Sequence, residues 1–234
     1  MTSPMIVSRD EWLRARKDLL AREKQHTREK DALAEARRRM PWVRVEAEYR
    51  FDTPNGVRSL ADLFGGRSQL IVYHFMFGAD WDNPCKSCSF WADSYNGLAP
   101  HLEARDIAFV AISSAPLSRL LPFKDRLGWK FDWVSSQGSS FNHDFDVGFG
   151  ADRPPERGRS YNFGTMADAP MDEMHGTSVF ARGEDGSVYH TYSMYGRGLD
   201  ATNAAYAYID LTPRGRNEPA GGNPMAWLQY HDAY

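Results

Sequence analysis

The sequence predicts an α/β fold in which a central mixed sheet is flanked by helices. Three observations lead there. Two apolar runs, Leu70–Phe77 and Asp106–Ser113, read as buried strands. Helical patterns follow each of them, and the order strand, helix, strand, helix implies parallel strands joined by right-handed crossovers. Further on, Thr177–Ala181 and Ser187–Tyr192 flank Glu184-Asp185-Gly186, a hairpin signal that adds an antiparallel pair.

Taken in order, the elements begin with a long polar helix over Ser8–Arg39. Ser8 and Asp10 offer capping oxygens, and Glu11 stands three residues after Ser8, as a capping box requires. Trp12, Leu13, Leu19, Leu20 and Leu33 make an apolar stripe too thin for full burial. Arg37–Arg39 suit the negative end of the helix dipole, and Pro41 stops the helix. Acidic residues interleave with its arginines, so the face reads as solvated ion pairs, and the helix is expected to pack on the domain or on a second subunit of a homodimer. Val43–Tyr49 alternates in the strand period, Pro54-Asn55-Gly56 turns, and Ser59–Phe64 is a helical turn closed by Gly65-Gly66. Gln69–Phe77 is the central strand. A helix is expected from Ser89 to about Arg105, another over Leu117–Leu127, and a short strand at Phe131–Val134. Gly148–Pro170, rich in Gly, Pro, Asp and Arg, reads as a surface excursion. Ala201–Leu211 fits helix or strand. The expected organisation is a helical extension over 1–42, one α/β domain over 43–212, and a loop with an aromatic tail over 213–234.

Composition narrows the function. A formal net charge of −3 gives no case for nucleic acid as partner, and 42% hydrophobic residues suffice for a core. No apolar run approaches the roughly 20 residues of a membrane-spanning helix, and no secretory signal opens the chain, so a cytoplasmic, membrane-free protein is the expectation. The two cysteines both fall in Cys85-Lys86-Ser87-Cys88. A reducing compartment has little use for a structural disulfide, and a dithiol between a buried strand and a helix start lies where free N–H groups favour thiolate. Cys85 would be the exposed member and Cys88 the buried one, able to resolve a mixed disulfide. Lys86 favours the thiolate, whereas Asp80 and Asp82 oppose it. From the residues alone the pair is a redox dithiol, half of a metal site, or core packing.

Several stretches carry a resemblance: Tyr73-His-Phe-Met-Phe-Gly78, Cys85-Lys-Ser-Cys-Ser-Phe-Trp-Ala-Asp93, Arg126-Leu-Gly-Trp129, Ser135-Ser136, Phe141-Asn-His-Asp-Phe145, His190-Thr-Tyr-Ser193, Tyr195-Gly-Arg-Gly-Leu-Asp200, Leu211-Thr-Pro-Arg-Gly-Arg216 and His231-Asp232, together with Arg38-Arg-Met-Pro-Trp42. The chain resembles the thioredoxin and peroxiredoxin superfamily and, more narrowly, a bacterial thioredoxin-like family labelled predicted dithiol–disulfide oxidoreductases. The resemblance implies a thioredoxin-like fold and thiol–disulfide exchange by Cys85 and Cys88. It departs from the relatives at three places. Pro84, not Trp, precedes the first cysteine. Gly78 and Asp82 stand where peroxiredoxins carry Pro and Thr, which removes the hydroxyl that positions peroxide. Met174–Ser178 lacks the proline that thioredoxins press against the dithiol.

The leading expectation is therefore a dithiol oxidoreductase without cofactor. Its partner would be a disulfide-containing protein or a small-molecule thiol, held in a groove formed by Trp81, Trp91, Gly176 and Thr177. The alternative is a zinc or copper site built from Cys85 and Cys88 with His74, His175, His190 or His231. A third reading is a non-catalytic dimeric binding module. His74 shares a strand face with Met76, opposite Tyr73, Phe75 and Phe77; the bland reading of His74 and of His190 is a hydrogen-bonded core histidine. His231 could lie in a tail folded over a site, or in a solvated one. His143 reads as a turn residue. Arg119, Arg126 and Arg197 read as surface arginines, and Gly196 and Gly198 do not stand in a dinucleotide-binding context.

Overall fold

A computed structural model describes residues 4–234. The chain divides into two compact units, Met1–Pro41 and Trp42–Tyr234.

The first unit is one helix, α1 (Arg9–Arg38). Ser8 caps it through the reciprocal capping box with Glu11, which satisfies two of the N–H groups a helix start leaves open. Arg37 and Arg38 occupy its last turn, and Arg16–Glu23 and Glu35–Arg39 pair along its surface. No residue of α1 is buried, as the thin apolar stripe implies.

The second unit holds an eight-stranded mixed sheet: β1 (Val43–Arg44), β2 (Arg50–Thr53), β3 (Gly56–Ser59), β4 (Gln69–His74), β5 (Ile107–Ser113), β6 (Asp132–Ser135), β7 (Gly176–Arg182) and β8 (Val188–Tyr195). They lie in the order β1-β8-β7-β4-β5-β6-β2-β3. The central β4 pairs in parallel with β5 and antiparallel with β7, so one crossover and one hairpin meet on a single strand. The helices are α2 (Lys86–Ala92), α3 (Ala99–Glu103), α4 (Leu117–Arg126), α5 (Phe141–Asp144) and α6 (Ala204–Ile209). Together β6-β5-β4-β7-β8, with α2 between β4 and β5, form a thioredoxin-like fold.

Strand alternation divides the core. Tyr73, Phe75 and Phe77 face one side with Cys88, Trp91, Tyr95, Trp129 and Trp133. Leu70, Val72, Val110 and Ile112 face the other with Phe51, Phe64, Phe141 and Phe180.

Four expectations change in detail. Val43–Tyr49 is not one strand: only Val43 and Arg44 pair with β8, and the chain leaves the sheet so that Tyr49 can bury against Phe141. The helix expected from Ser89 to Arg105 starts earlier, capped by Cys85, and breaks between Ala92 and Ala99, where Asn96 is drawn off to Gly128 and Lys130. Ala201–Leu211 contains a helix, α6, whose Asn203 side chain caps Tyr206 N–H at 2.9 Å. The excursion Gly148–Pro170 carries buried residues of its own: Phe149, Tyr161 and Ala169 pack with Val147, Met174 and Tyr195. Arg153, 7% exposed, organises it by donating to the carbonyls of His143, Gly148 and Gly158 and to Asp146.

Candidate active site at the Cys85–Cys88 dithiol

Beyond β4 the chain stays extended to Phe77, held by Phe75 N–H to Ile112 O and by Ala115 N–H to Phe77 O. It then turns at Gly78. A Cβ there would lie 2.8 Å from Trp81, so only glycine lets the indole fold back on the backbone. Arg119, a surface arginine by expectation, donates to the carbonyls of Ala79 and Trp81 and thereby fixes this loop. Cys85 N–H returns to Met76 O at 3.0 Å, which sets the cysteine beside the end of the strand.

Cys85 is the N-cap of α2, and its Sγ accepts Cys88 N–H at 3.4 Å. It is partly exposed, whereas Cys88 is 2% exposed. Hydrogen bonding from the Cys88 thiol, helped by the N–H groups of Cys88 and Ser87 and opposed by burial, brings Cys85 from 9.0 down to about 7. Burial, and then the neighbouring Cys85, push Cys88 well above the ordinary thiol range, against the Met76 N–H and the Tyr73 hydroxyl. Tyr73 is fully buried; its hydroxyl makes no hydrogen bond and lies near enough to feel a charge on Cys88. Tyr95 and Tyr161 also lie near enough to feel a charge on Cys88.

Of the four residues expected to form a groove, Trp81 alone is partly exposed. Trp91 is buried one turn beyond Cys88, with its indole N–H on Leu199 O at 2.9 Å. Gly176 and Thr177 are buried in β7, opposite His74 and Tyr73 of β4. Trp81 also borders a cavity of about 430 Å³ at the C-terminal ends of β4, β5 and β6, which Ser114, Asn142, His143 and Glu173 line as well. Burial raises Glu173 to about 7 although Ser114 and Asn142 donate to it.

The histidines do not gather at the dithiol. His74 lies on the far face of the sheet, stacked on Phe141 and Phe145, with Nε2 2.8 Å from Ser178 Oγ. Ser178 meets Ser193 at 2.8 Å, and Ser193 meets His190 at 2.7 Å. The two residues read as core histidines thus end one buried relay, a feature invisible in their sequence separation. His231 bonds Asp93 at 2.7 Å, and His143 is held by Gly148 O and Asp152. The His175 ring lies 6.0 Å from Trp91, and burial holds its pKa below the usual imidazole value. Among the described residues no group of three or more His, Cys, Asp or Glu is arranged to hold a metal ion. Of the six residues of the alternative metal set, His74 and His190 end the relay on the far face and His231 is bonded to Asp93.

Most of the tail is exposed, but Leu228 and Tyr230 are buried and anchor it. Tyr230 donates its hydroxyl to Pro84 O at 2.6 Å, across 146 positions of sequence.

The strand order and the place of α2 make the fold thioredoxin-like, with the dithiol at the start of that helix. All of it, residues 1–234, matches the family described as "Bacterial protein of unknown function (DUF899)", to which it belongs. No curated protein matches it. Among solved structures it is similar to the peroxidoxin BcpB of Mycobacterium tuberculosis, at 17% identity over 73% of this chain and 97% of that one, with a TM-score of 0.44. It is likewise similar to the bacterioferritin comigratory protein of Xanthomonas campestris, at 15% identity over 71% and 94% of the two chains, TM-score 0.45. PrxQ of Xylella fastidiosa follows at 14% over 68% and 89%, TM-score 0.40. Among the described residues no helix is long and apolar enough to cross a membrane.

Proposed function

We propose that the chain is a thiol–disulfide oxidoreductase acting through Cys85 and Cys88. The observation that carries this reading is the division of labour within the pair: a partly exposed capping cysteine whose sulfur accepts hydrogen bonds, and a buried partner one turn away. A Cys85 pKa brought down to about 7 lies near the optimum for a thiol that must both attack and leave.

The Cys85 thiolate attacks one sulfur of a substrate disulfide. A Cys85–substrate bond forms as the substrate S–S bond breaks, and the departing sulfur leaves as a thiolate that takes a proton from water. Cys88 then gives up its proton and attacks Cys85 Sγ. The second substrate thiol departs, and a Cys85–Cys88 disulfide remains. Two electrons have passed to the substrate, and a thiol reductant returns them. The Met76 N–H and the Tyr73 hydroxyl are the groups that ease the charge on Cys88 during its attack.

Equilibration in graded thiol–disulfide buffers, with and without chelator, followed by alkylation and mass measurement, tests the reading. A reversible two-electron transition between about −180 and −270 mV is expected. Cys85→Ser is expected to abolish turnover of disulfides. A pair that stays reduced and resists alkylation until chelator is added would overturn the proposal in favour of a metal site.

A further inference from the structure

The segment Gln229–Asp232 brackets the reactive cysteine. Tyr230 donates to the carbonyl of Pro84, the residue before Cys85, and Gln229 accepts from Lys86 Nζ, the residue after it, at 2.9 Å. His231 is tied to Asp93 beyond the end of α2. Asp232 takes both arms of Arg126 at 2.7 and 3.0 Å, and the same guanidinium lies 5.2 Å from the centre of the Tyr230 ring. Leu228, 2% exposed, anchors the segment in the core, and Tyr230 packs in the cluster against which Cys85 rests.

We propose that Gln229–Asp232 is a strap that decides which disulfides reach Cys85, with Tyr230 as its specificity-determining residue: low-molecular-weight disulfides enter, and disulfides set in folded proteins are held back. The proposal rests on Cys85 being the attacking thiol. Exchange needs the attacking sulfur in line with both substrate sulfurs, so the groups carried by the substrate must pass over the residues beside Cys85. A folded protein brings main chain to both sides of its disulfide, where the strap already stands on Pro84 and Lys86. A small disulfide brings little beyond its two sulfurs. The outer ties are the solvent-exposed Lys86–Gln229 bond and the two-point Arg126–Asp232 pair, whose side chains are only partly exposed. The buried Tyr230–Pro84 bond and the ring packing around it are what keep the strap down.

The test uses the whole chain carrying Cys88→Ser, so that Cys85 is the one thiol to react. Alkylation is timed with iodoacetamide and with a maleimide on a polyethylene glycol chain. Tyr230→Ala is expected to raise the rate with the bulky reagent about tenfold while the iodoacetamide rate changes less than about twofold; removal of residues 230–234 should do the same. Tyr230→Phe, which keeps the ring and loses the bond to Pro84, should fall between. An unchanged ratio of the two rates in Tyr230→Ala overturns the strap, whether or not the shortened chain folds. With Cys88 restored, Tyr230→Ala is expected to gain activity on insulin and to keep its activity on a small aromatic disulfide. A chain that reduces neither disulfide would remove the oxidoreductase reading, and the alkylation ratio would still decide the strap.

Discussion

Tyr73 and His74 are neighbours in β4 and point to opposite faces, and each holds a buried polar group for a different reason. The Tyr73 hydroxyl makes no hydrogen bond with Cys88 protonated and is near enough to ease a charge on that sulfur. Tyr73→Phe is therefore expected to leave alkylation of Cys85 unchanged and to slow resolution of the mixed disulfide about tenfold, the value of one hydrogen bond to a charged group. Acid-quenched mass spectra should show that species accumulating. A variant that merely loses stability would assign Tyr73 to packing. His74 is held at about 3 by burial and by nearby His190, below the usual 6.5. The unfolded chain thus binds more protons than the folded one between those values, and stability falls as pH drops below 6.5. His74→Gln, which still reaches Ser178, should flatten the fall in Tm between pH 6.5 and 4.5; an unaltered slope would mean that other groups set it. At this scale alternation showed which faces Tyr73 and His74 take, but Met76, expected to share the His74 face, lies past the end of β4 and packs with Tyr73, Phe75 and Phe77. The sequence hid the partners: Ser178 is 104 positions from His74, and nothing local links Tyr73 to Cys88.

The elements were legible where a local device defines them. The Ser8–Glu11 capping box, the Glu184–Gly186 turn and the apolar run of β4 each specify their structure within a few residues. They were misread where tertiary packing intervenes, as in the stretch after α2, where Asn96 bonds Gly128 and Lys130, or at Tyr49, which packs on Phe141. Gly176, expected in the substrate groove, also meets a packing demand between β7 and β8. A Cβ would lie 2.6 Å from Tyr195 Cδ1, and that ring is tethered by its hydroxyl to Phe145 O at 2.9 Å. Gly176→Ala is expected to destabilise the protein by about 1–3 kcal/mol through overpacking. Urea unfolding should show a lower midpoint with an unchanged slope; an unchanged midpoint would show that Tyr195 can yield.

At the scale of the molecule, both cysteines and every partner described for them belong to the unit Trp42–Tyr234. A chain beginning at Trp42 is accordingly expected to melt cooperatively at the temperature of the full chain and to keep its rate of Cys85 alkylation. Loss of either would show that α1 supports the dithiol. The sheet order was readable in outline, since strand, helix, strand and hairpin admit few right-handed arrangements. The buried cluster within Gly148–Pro170 and the closure of residues 229–232 on α2 were not, because composition marks both as loop while a few aromatics and arginines make them structure.

The bond between Tyr230 and Pro84 also orders events in time. The ribosome makes Tyr230 146 residues after Pro84, which at about 5–20 residues per second is an interval of roughly 7–30 s. Throughout that interval a nascent chain carries a finished Cys-x-x-Cys segment with nothing above it. The thiol is thus most open to stray oxidation and to mispairing with other nascent thiols until Tyr230 has been made and can bond Pro84.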